Sequence, residues 1–305
     1  MTWEIRTYED SLIEELISVF NREMKDDKFV VPLTPEIFTD QISSKPIFTN
    51  EGCFLVMENG KTIGFALTSP GVDGKRGIAD PKVGVVDGLF FPRDRLEIGD
   101  ALLARCMEHF ERKGGVKTVY GFASYGGYPY WRGLYCGAEP VCLTHYTHAW
   151  ITFMARGFTH HQQAMNYLGT TESRGYRNDL EYSVSNLSTS SQWAQQSWKN
   201  HYPKSIIAKK DGVYAGFIGY VELPYLTEYR QKGMAGIYGM NVDPEYRRQS
   251  VATSLINYLF NHAHKLGIKE ILVGTTVQNT AARRTYEKGG MKPIGFRTGT
   301  MYHYK

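Results

Sequence analysis

Residues 247–253 (RRQSVAT) have the composition of a phosphate-binding loop. An apolar run that ends at Val242 precedes them, and a segment with helical apolar spacing follows. A strand that enters a helix through a short loop leaves the first backbone N–H groups of that helix unpaired, and the helix dipole adds to their attraction for anions. The pattern predicts a pyrophosphate site. Its expected residues are Arg247, Arg248, Gln249, Ser250, Val251, Ala252 and Thr253.

Some of these residues also have a purely structural interpretation. Arg247 and Arg248 could be a solvated pair, but positive charge at a helix N-terminus is unfavourable by about 0.3–1 kcal/mol, which favours an anionic partner. Further along the chain, Tyr286 carries a phenol, a group that can donate a proton in catalysis. Because Tyr286 lies at helical spacing from Ala282, a place in the core is the alternative for it.

The loop resembles the hallmark of the GNAT superfamily of acyl-CoA-dependent N-acyltransferases, Arg/Gln-x-x-Gly-x-Gly/Ala at a strand-to-helix junction. Arg247, Ser250 and Ala252 match this pattern, with Ser250 where the family usually has glycine. Serine is small enough for this position if its φ angle is negative.

A second pattern of the same family, Asn-x-x-Ala-x-x-x-Tyr-x-x-x-Gly-Phe, follows in the expected order. Asn279, Ala282, Tyr286 and Gly290 match it, and Met291 replaces the phenylalanine. The resemblance implies an N-acyltransferase with acetyl-CoA as the expected donor and a small-molecule or peptide amine as the acceptor.

The resemblance also assigns roles to residues of the site. The backbone of Met240, Asn241 and Val242 would pair with the pantetheine arm, and Asn279 and Tyr286 would complete the cofactor site. The acceptor amine would attack the thioester directly, and Tyr286 would protonate the leaving thiolate. Neither a metal nor a covalent enzyme intermediate is then expected.

A base must take a proton from the ammonium form of the acceptor, directly or through water. Glu222, at the end of an apolar run, is one candidate, although a solvated carboxylate at a strand end is the simpler interpretation. Asp243 and Tyr238 are the other candidates.

An internal repeat indicates which elements position these residues. The turn dipeptides Asn59-Gly60 and Asp211-Gly212 each join two apolar runs, as in a hairpin, and lie 152 residues apart. Pro92 and Pro244, which follow the next apolar run in each half, have the same offset. The order of elements predicts an α/β protein of two tandem GNAT-like domains, each a mixed, mostly antiparallel sheet flanked by helices. We place the domains at residues 1–172 and 173–305.

The first copy of the loop, residues 91–103 (FPRDRLEIGDALL), is one residue shorter and would place Glu97 beside the phosphates. At the positions of Asn279 and Tyr286 the first half has Gly127 and Leu134. We therefore predict catalysis in the C-terminal domain, with an N-terminal domain that is structural or binds the acceptor. Residues 125–137 would be either a loop that closes the core or a wall of the acceptor pocket.

Charge and cysteine content limit the other possibilities. Residues 1–180 hold 19 Lys/Arg and 23 Asp/Glu, whereas residues 181–305 hold 16 and 8, so the second half suits an anionic ligand. The four cysteines form no CxxC pair, which favours a reducing, cytoplasmic compartment. The N-terminus lacks a signal-peptide pattern, and no stretch is apolar enough to predict a membrane span. We expect a monomer or homodimer.

Three alternatives remain at this stage. The chain could bind acyl-CoA without catalysis, as a regulatory or scaffold protein. Nucleic-acid binding is disfavoured because the basic residues are scattered and no RNA-binding aromatic motif accompanies them. Metal binding is disfavoured because the histidines lack carboxylates or thiols at ligand spacing. Those histidines are His145, His148, His160, His161, His262 and His264.

Overall fold

The computed structural model describes residues 2–73, 78–121, 130, 131, 134, 142, 143, 146–186 and 203–304. The opening of the second half, in residues 187–202, and most of the 125–137 segment lie outside these ranges.

The strands are β1 (Trp3–Thr7), β2 (Cys53–Glu58), β3 (Lys61–Asp73), β4 (Ile78–Phe90), β5 (Thr118–Gly121), β6 (Cys142–Leu143), β7 (Thr159–Thr170), β8 (Glu181–Asn186), β9 (Lys204–Lys210), β10 (Val213–Glu222), β11 (Gly233–Val242), β12 (Ile268–Thr276) and β13 (Lys292–His303). The helices are α1 (Ile13–Met24), α2 (Pro35–Phe38, extended by a π-helical segment Thr39–Ser43), α3 (Leu96–Lys113), α4 (Thr147–Ala155), α5 (Pro224–Arg230), α6 (Val251–Lys265) and α7 (Thr280–Lys288).

Local sequence patterns account for the main elements. Positive φ angles at Asn59 (51°), Gly60 (74°), Asp211 (50°) and Gly212 (78°) give both hairpins the type I′ geometry that these residues favour. Both predicted hairpins are therefore confirmed. In α1 the apolar side chains of Leu16, Ile17 and Phe20 are buried, as expected for an amphipathic helix on a core.

All the described strands belong to one sheet. Its order is β1-β2-β3-β4-β5-β13-β7-β12-β11-β10-β9-β8, and β6 pairs with β13. Among the described pairs, β4–β5 and β11–β12 are parallel and the others are antiparallel. The predicted mixed, mostly antiparallel arrangement is confirmed.

The closing strands of the two halves exchange places in this sheet. Strand β7, from the first half, pairs with β12 of the second half, and β13, from the end of the chain, pairs with β5 of the first half. The two strands also pair with each other. The sheets of the halves are therefore continuous, and β7 lies in the sheet of the second half although it precedes the predicted boundary at residue 172.

Two apolar cores lie on opposite faces of the second half. Along β11, Met234 packs into the core that contains α1, whereas Ala235 and Ile237 pack into the core that contains α6. We call these the α1 face and the α6 face. Because strand side chains alternate, the face of each residue on β10, β11 and β12 follows from this register. No described helix is long and apolar enough to cross a membrane.

Candidate active site

A wedge opens between the parallel strands β11 and β12. Their pairing runs from Gly233↔Ile268 to Ile237↔Val273 and then stops, although β11 continues to Val242 and β12 to Thr276. The register of β11 against β10 shifts between Gly219 and Tyr220, which makes Tyr238 the extra residue of a β-bulge. The wedge therefore begins at this bulge.

The three strand residues assigned to the pantetheine arm lie on the open part of β11. Asn241 and Val242 still pair with β10 on one side, while the pairing with β12 has ended. On the side of the wedge, Met240, Asn241 and Val242 have no partner strand, although the Val242 carbonyl accepts a hydrogen bond from Arg247 Nε. This arrangement fits the predicted role of these residues.

The loop after β11 is shaped by local hydrogen bonds. Asp243 Oδ1 accepts a hydrogen bond from the Glu245 N–H at 3.0 Å, which caps a single 3₁₀ turn. Arg247 Nε then donates to Val242 O at 3.1 Å, so the arginine folds back over the strand end. Both Arg248 and Ser250 have a φ of 61°, in the left-handed region.

The positive φ at Ser250 means that the condition stated for serine is not met. Serine would suit the position with a negative φ, but the loop has the left-handed conformation that glycine adopts freely. Serine there carries a backbone penalty of roughly 1–2 kcal/mol. The glycine preference of the family pattern thus reflects backbone geometry as well as size.

The N-terminus of α6 is open toward this loop. The Ser250 side chain makes no capping bond, and the first intrahelical hydrogen bond comes from the Ser254 N–H to Ser250 O, at 3.0 Å. The N–H groups of Val251, Ala252 and Thr253 therefore have no partner within the helix. Arg247, Arg248, Gln249 and Ser250 are exposed beside them. The predicted phosphate residues are brought together here.

Arg177 is a further cation at this loop that the sequence analysis missed. Its Nη1 donates to Gln249 O at 2.5 Å, and its backbone N–H donates to Ser254 Oγ at 2.8 Å. Arg177 also pairs with Asp179. Arg177 closely follows the predicted domain boundary at residue 172, and the local sequence pattern gave no indication of contact with a loop about seventy residues later in the chain.

Asn279 and Tyr286 lie at the two ends of α7. Asn279 caps the helix, because its Oδ1 accepts a hydrogen bond from the Ala282 N–H at 3.1 Å. Tyr286 is 5% exposed, and burial raises its pKa to about 12. The phenol is therefore protonated at neutral pH and has a proton to donate. The core interpretation of Tyr286 is confirmed, and its role as a proton donor stays a prediction.

The exchanged strand β7 contributes a neighbour to Tyr286. The rings of Tyr167 and Tyr286 lie 5.8 Å apart, centre to centre. The Tyr167 hydroxyl donates to Glu287 Oε1 at 3.0 Å, and Arg283 Nε lies 3.4 Å from the same hydroxyl. A residue of the first half thus supports the candidate acid of the second half.

The position of Glu222 argues against its role as a base. It pairs with Lys204 at 2.7 Å, its side chain is 52% exposed, and its register partner is Ala235, before the wedge opens. By strand alternation it lies on the α6 face with Tyr220, whereas Tyr238 is on the α1 face. The solvated strand-end interpretation accounts for Glu222.

Of the other two base candidates, Asp243 is engaged as a cap and Tyr238 lies at the wedge. The half-buried Tyr238 ring covers Gly219, where a Cβ would collide with it. Its hydroxyl lies 3.3 Å from Ser205 Oγ, and burial raises the pKa of the phenol. Tyr238 is thus a protonated hydrogen-bonding group at neutral pH.

The corresponding loop of the first half lacks these features. Arg95 is paired with Glu58 at 3.1 Å and also with Glu97, in the first turn of α3. No residue of this loop has a positive φ. Phosphate would meet two carboxylates and a neutralised arginine.

Three described residues of the 125–137 segment are fully buried. They are Tyr130, Trp131 and Leu134. Trp131 stacks on Phe20 of α1, with ring centres 5.3 Å apart. For these residues the core-closing interpretation fits; the remainder of the segment lies outside the described ranges. Among the described residues, no group of three His, Cys, Asp or Glu side chains could hold a metal ion.

The C-terminal half of the chain is similar to a known family and to a curated protein. Residues 173–291 match the model of the Acetyltransferase (GNAT) family. A curated protein of Bacillus subtilis (strain 168), assigned as a ribosomal protein bS18-alanine N-acetyltransferase, is 27% identical over 124 residues. The match spans 39% of this chain and 77% of the relative. The family uses acyl-CoA donors and amine acceptors.

Solved structures show the same fold across the whole chain. A tandem GNAT protein from the clavulanic acid biosynthesis pathway has a TM-score of 0.67 at 13% identity, covering 99% of this chain and 98% of its own. A GCN5-related N-acetyltransferase from Sphaerobacter thermophilus has a TM-score of 0.66 at 14% identity, with 99% and 95% covered. N-myristoyltransferase of Saccharomyces cerevisiae, solved with myristoyl-CoA, has a TM-score of 0.57 at 11% identity, with 100% and 80% covered.

Proposed function

We propose that this acyltransferase of the GNAT superfamily moves the acetyl group of acetyl-CoA to an amine, with the reaction in the C-terminal half. One observation carries the proposal: the uncapped N-terminus of α6, flanked by Arg247 and Arg248, lies at the end of the wedge between β11 and β12. An anion site next to an unpaired strand edge suits a ligand with a phosphate group and an extended amide arm.

The described residues fit acetyl-CoA in charge and shape. The N–H groups of residues 251–253 and the guanidinium groups of Arg247, Arg248 and Arg177 would hold the pyrophosphate. The free edge of β11, Met240 to Val242, would hold the pantetheine amides. Asn279 orders the start of α7, which carries Tyr286, and so acts on the site through the helix.

The reaction requires little beyond positioning and a proton donor. The neutral amine attacks the thioester carbonyl, the C–S bond breaks as the C–N bond forms, and the proton lost by nitrogen passes to solvent. The Tyr286 phenol donates a hydrogen bond, or its proton, to the departing thiolate. Placing both reactants in one wedge accounts for most of the acceleration, because it removes the entropic cost of their encounter.

The N-terminal half would then be structural, and it would also support the site of the C-terminal half. It supplies β7, with Tyr167 against Tyr286, while its own loop presents Glu58 and Glu97 to any phosphate. The name of the curated relative supports a polypeptide amine as acceptor. Small amines are the other acceptor class that the family admits.

The proposal is tested by calorimetric titration with acetyl-CoA and by thiol release over a panel of amines and peptides. We expect binding and turnover, an Arg247→Glu variant with a Kd raised at least tenfold, and a Tyr286→Phe variant with a lower kcat at similar Kd. The control variant Arg6→Glu reverses a charge on β1, remote from the loop. Acetyl-CoA binding without transfer to any acceptor would instead favour a regulatory acyl-CoA-binding protein.

A further inference from the structure

An open groove lies where the N-terminal half meets α5 of the C-terminal half. We call it the acidic groove, and its volume is about 380 Å³. It lies apart from the phosphate loop and belongs to both halves. Its lining residues are Val31, Pro32, Thr34, Glu36, Ile37, Asp40, Tyr225, Glu228 and Tyr229.

The groove is negative in a protein that is positive overall. Its lining includes three carboxylates, from Glu36, Asp40 and Glu228, and no lysine or arginine, whereas the chain has a formal charge of +4. The nearby Arg230 does not line the groove, because its guanidinium donates to Lys28 O and pairs with Glu270. Aliphatic and phenolic side chains form the rest of the walls. This combination suits a cationic ligand with an apolar or extended body.

A buried amide contacts two lining residues of the groove. Gln41 is fully buried, and its Nε2 donates to Asp40 Oδ2 at 2.6 Å and to Tyr225 Oη at 3.4 Å. The Tyr225 hydroxyl also donates to Asp40 Oδ2, at 2.7 Å. These hydrogen bonds hold the carboxylate and the phenol in place in the wall of the groove.

Helix α5, which lines the groove, lies on the same face of β11 as Tyr238, the residue at which the wedge begins. Helix α5 is attached to the start of that strand, because the Leu223 N–H donates to Met234 O at 3.0 Å and the Met234 N–H to Thr227 Oγ1 at 2.9 Å. Met234 and Tyr238 both point to the α1 face. At about 3.3 Å per residue, the four residue steps from Met234 to Tyr238 span about 13 Å. An extended peptide of four or five residues covers this distance.

We propose that the acidic groove binds positively charged residues of a polypeptide acceptor, about four or five residues from the amine that is acetylated. The inference rests on the proposed function, since it names the substrate class of that site. The chemistry recognised is a short extended segment with a free amine at one end and guanidinium or ammonium groups further along.

The test compares two peptides that differ only in charge, Ala-Gly-Gly-Arg-Arg-Gly and Ala-Gly-Gly-Gln-Gln-Gly, each labelled at its C-terminus. Arginine offers no amine to acetylate, so the α-amine is the sole acceptor. Fluorescence anisotropy measures binding without acetyl-CoA, and thiol release measures kcat and KM. We expect the arginine peptide to bind about tenfold more tightly, the effect of two to three partly exposed charge pairs. The preference is expected in KM rather than kcat.

A matched pair of double variants assigns this preference to the groove. Glu36→Gln/Glu228→Gln removes two groove carboxylates and is expected to reduce the preference to about twofold or less. Glu14→Gln/Glu181→Gln removes two exposed carboxylates elsewhere and is expected to retain it. Thermal unfolding of both confirms that they fold.

The outcomes separate the two proposals. The groove assignment is overturned if the unmodified protein binds the two peptides with equal affinity. It is also overturned if the groove variant keeps the preference for the arginine peptide. If both peptides are acetylated with equal KM, the proposed function stands and the groove proposal fails. If the arginine peptide binds through Glu36 and Glu228 but neither peptide is acetylated, the groove proposal stands and the proposed function fails.

Discussion

Tyr167 of the first half packs its ring 5.8 Å from that of Tyr286 in the second half. This contact exists because β7 crosses into the sheet beside β12. The candidate proton donor therefore depends on a residue that lies outside the matched family region, residues 173–291. The two halves are structurally interdependent at the point where chemistry is proposed.

Shortening Tyr167 should damage both stability and catalysis. Tyr167→Ala removes a fully buried ring and should lower the free energy of unfolding by about 3–5 kcal/mol, as for other buried aromatic residues. Tyr167→Phe keeps the ring and loses the hydrogen bond to Glu287, so it should lower the free energy of unfolding by about 1 kcal/mol. Denaturant unfolding and kcat measure the two effects. Equal losses in the two variants would show that the ring contact is unimportant.

Replacing Ser250 with glycine should stabilise the protein. The residue has a φ of 61°, and its side chain makes no capping bond, so Ser250→Gly relieves backbone strain and loses no contact. We expect the free energy of unfolding to increase by about 0.5–1 kcal/mol and the affinity for acetyl-CoA to be retained. Ser250→Ala is the control, because alanine keeps the strain and should leave the stability close to that of the unmodified protein. A glycine variant no more stable than the alanine variant would contradict the strain assignment.

Asp87 should make the first half less stable as pH rises. It is 1% exposed, and burial raises its pKa from 3.8 to about 8, although the Ser69 hydroxyl and the charge of Lys45 act in the opposite direction. Since the folded-state pKa lies above the unfolded one, the stabilisation is complete below about pH 4 and is lost as the pH rises to about 8. The slope is at most about 1.4 kcal/mol per pH unit.

The Asp87→Asn variant tests this dependence. It should unfold at a temperature that varies less between pH 5 and 8, and it should be the more stable protein at pH 8. Asp94→Asn, at an exposed site, is the control. A steep pH dependence that persists in Asp87→Asn would assign it to other groups.

The pH dependence of transfer should follow the acceptor. The pKa of Tyr286 is raised to about 12 and burial also raises that of Tyr238, so neither phenol loses its proton between pH 6 and 9. The rise of kcat/KM with pH should then track the amine. An α-amine acceptor should show a midpoint near 8, and a lysine side chain one about two units higher. A common midpoint for both acceptors would reveal a base on the protein.

Much of the site was predictable because its features are local in sequence. The type I′ turns require residues that tolerate positive φ. The dipeptides Asn59-Gly60 and Asp211-Gly212 therefore predict these turns directly. The loop from Arg247 to Thr253 is likewise a strand, a turn and a helix start within a few residues. Its role as an anion site follows from the unpaired N–H groups of any such helix.

Other features depend on contacts that no local pattern records. The φ of Ser250 is set by how the loop must turn between β11 and α6, so the sequence alone did not determine its sign. Glu222 had a suitable residue type, but the strand register places it on the face opposite Tyr238 and before the wedge. Arg177 reaches the loop from a distant segment.

The sequence by itself determined the elements, the repeat and the half that carries the phosphate loop, because periodicity, turn residues and helix starts are encoded over a few neighbouring positions. The tertiary structure decided which strands pair. Strands β7 and β13 could each have closed their own half, and the local pattern of apolar residues suits either arrangement. Their exchange is settled by the pairing and packing of the whole sheet, and it places Tyr167 against Tyr286.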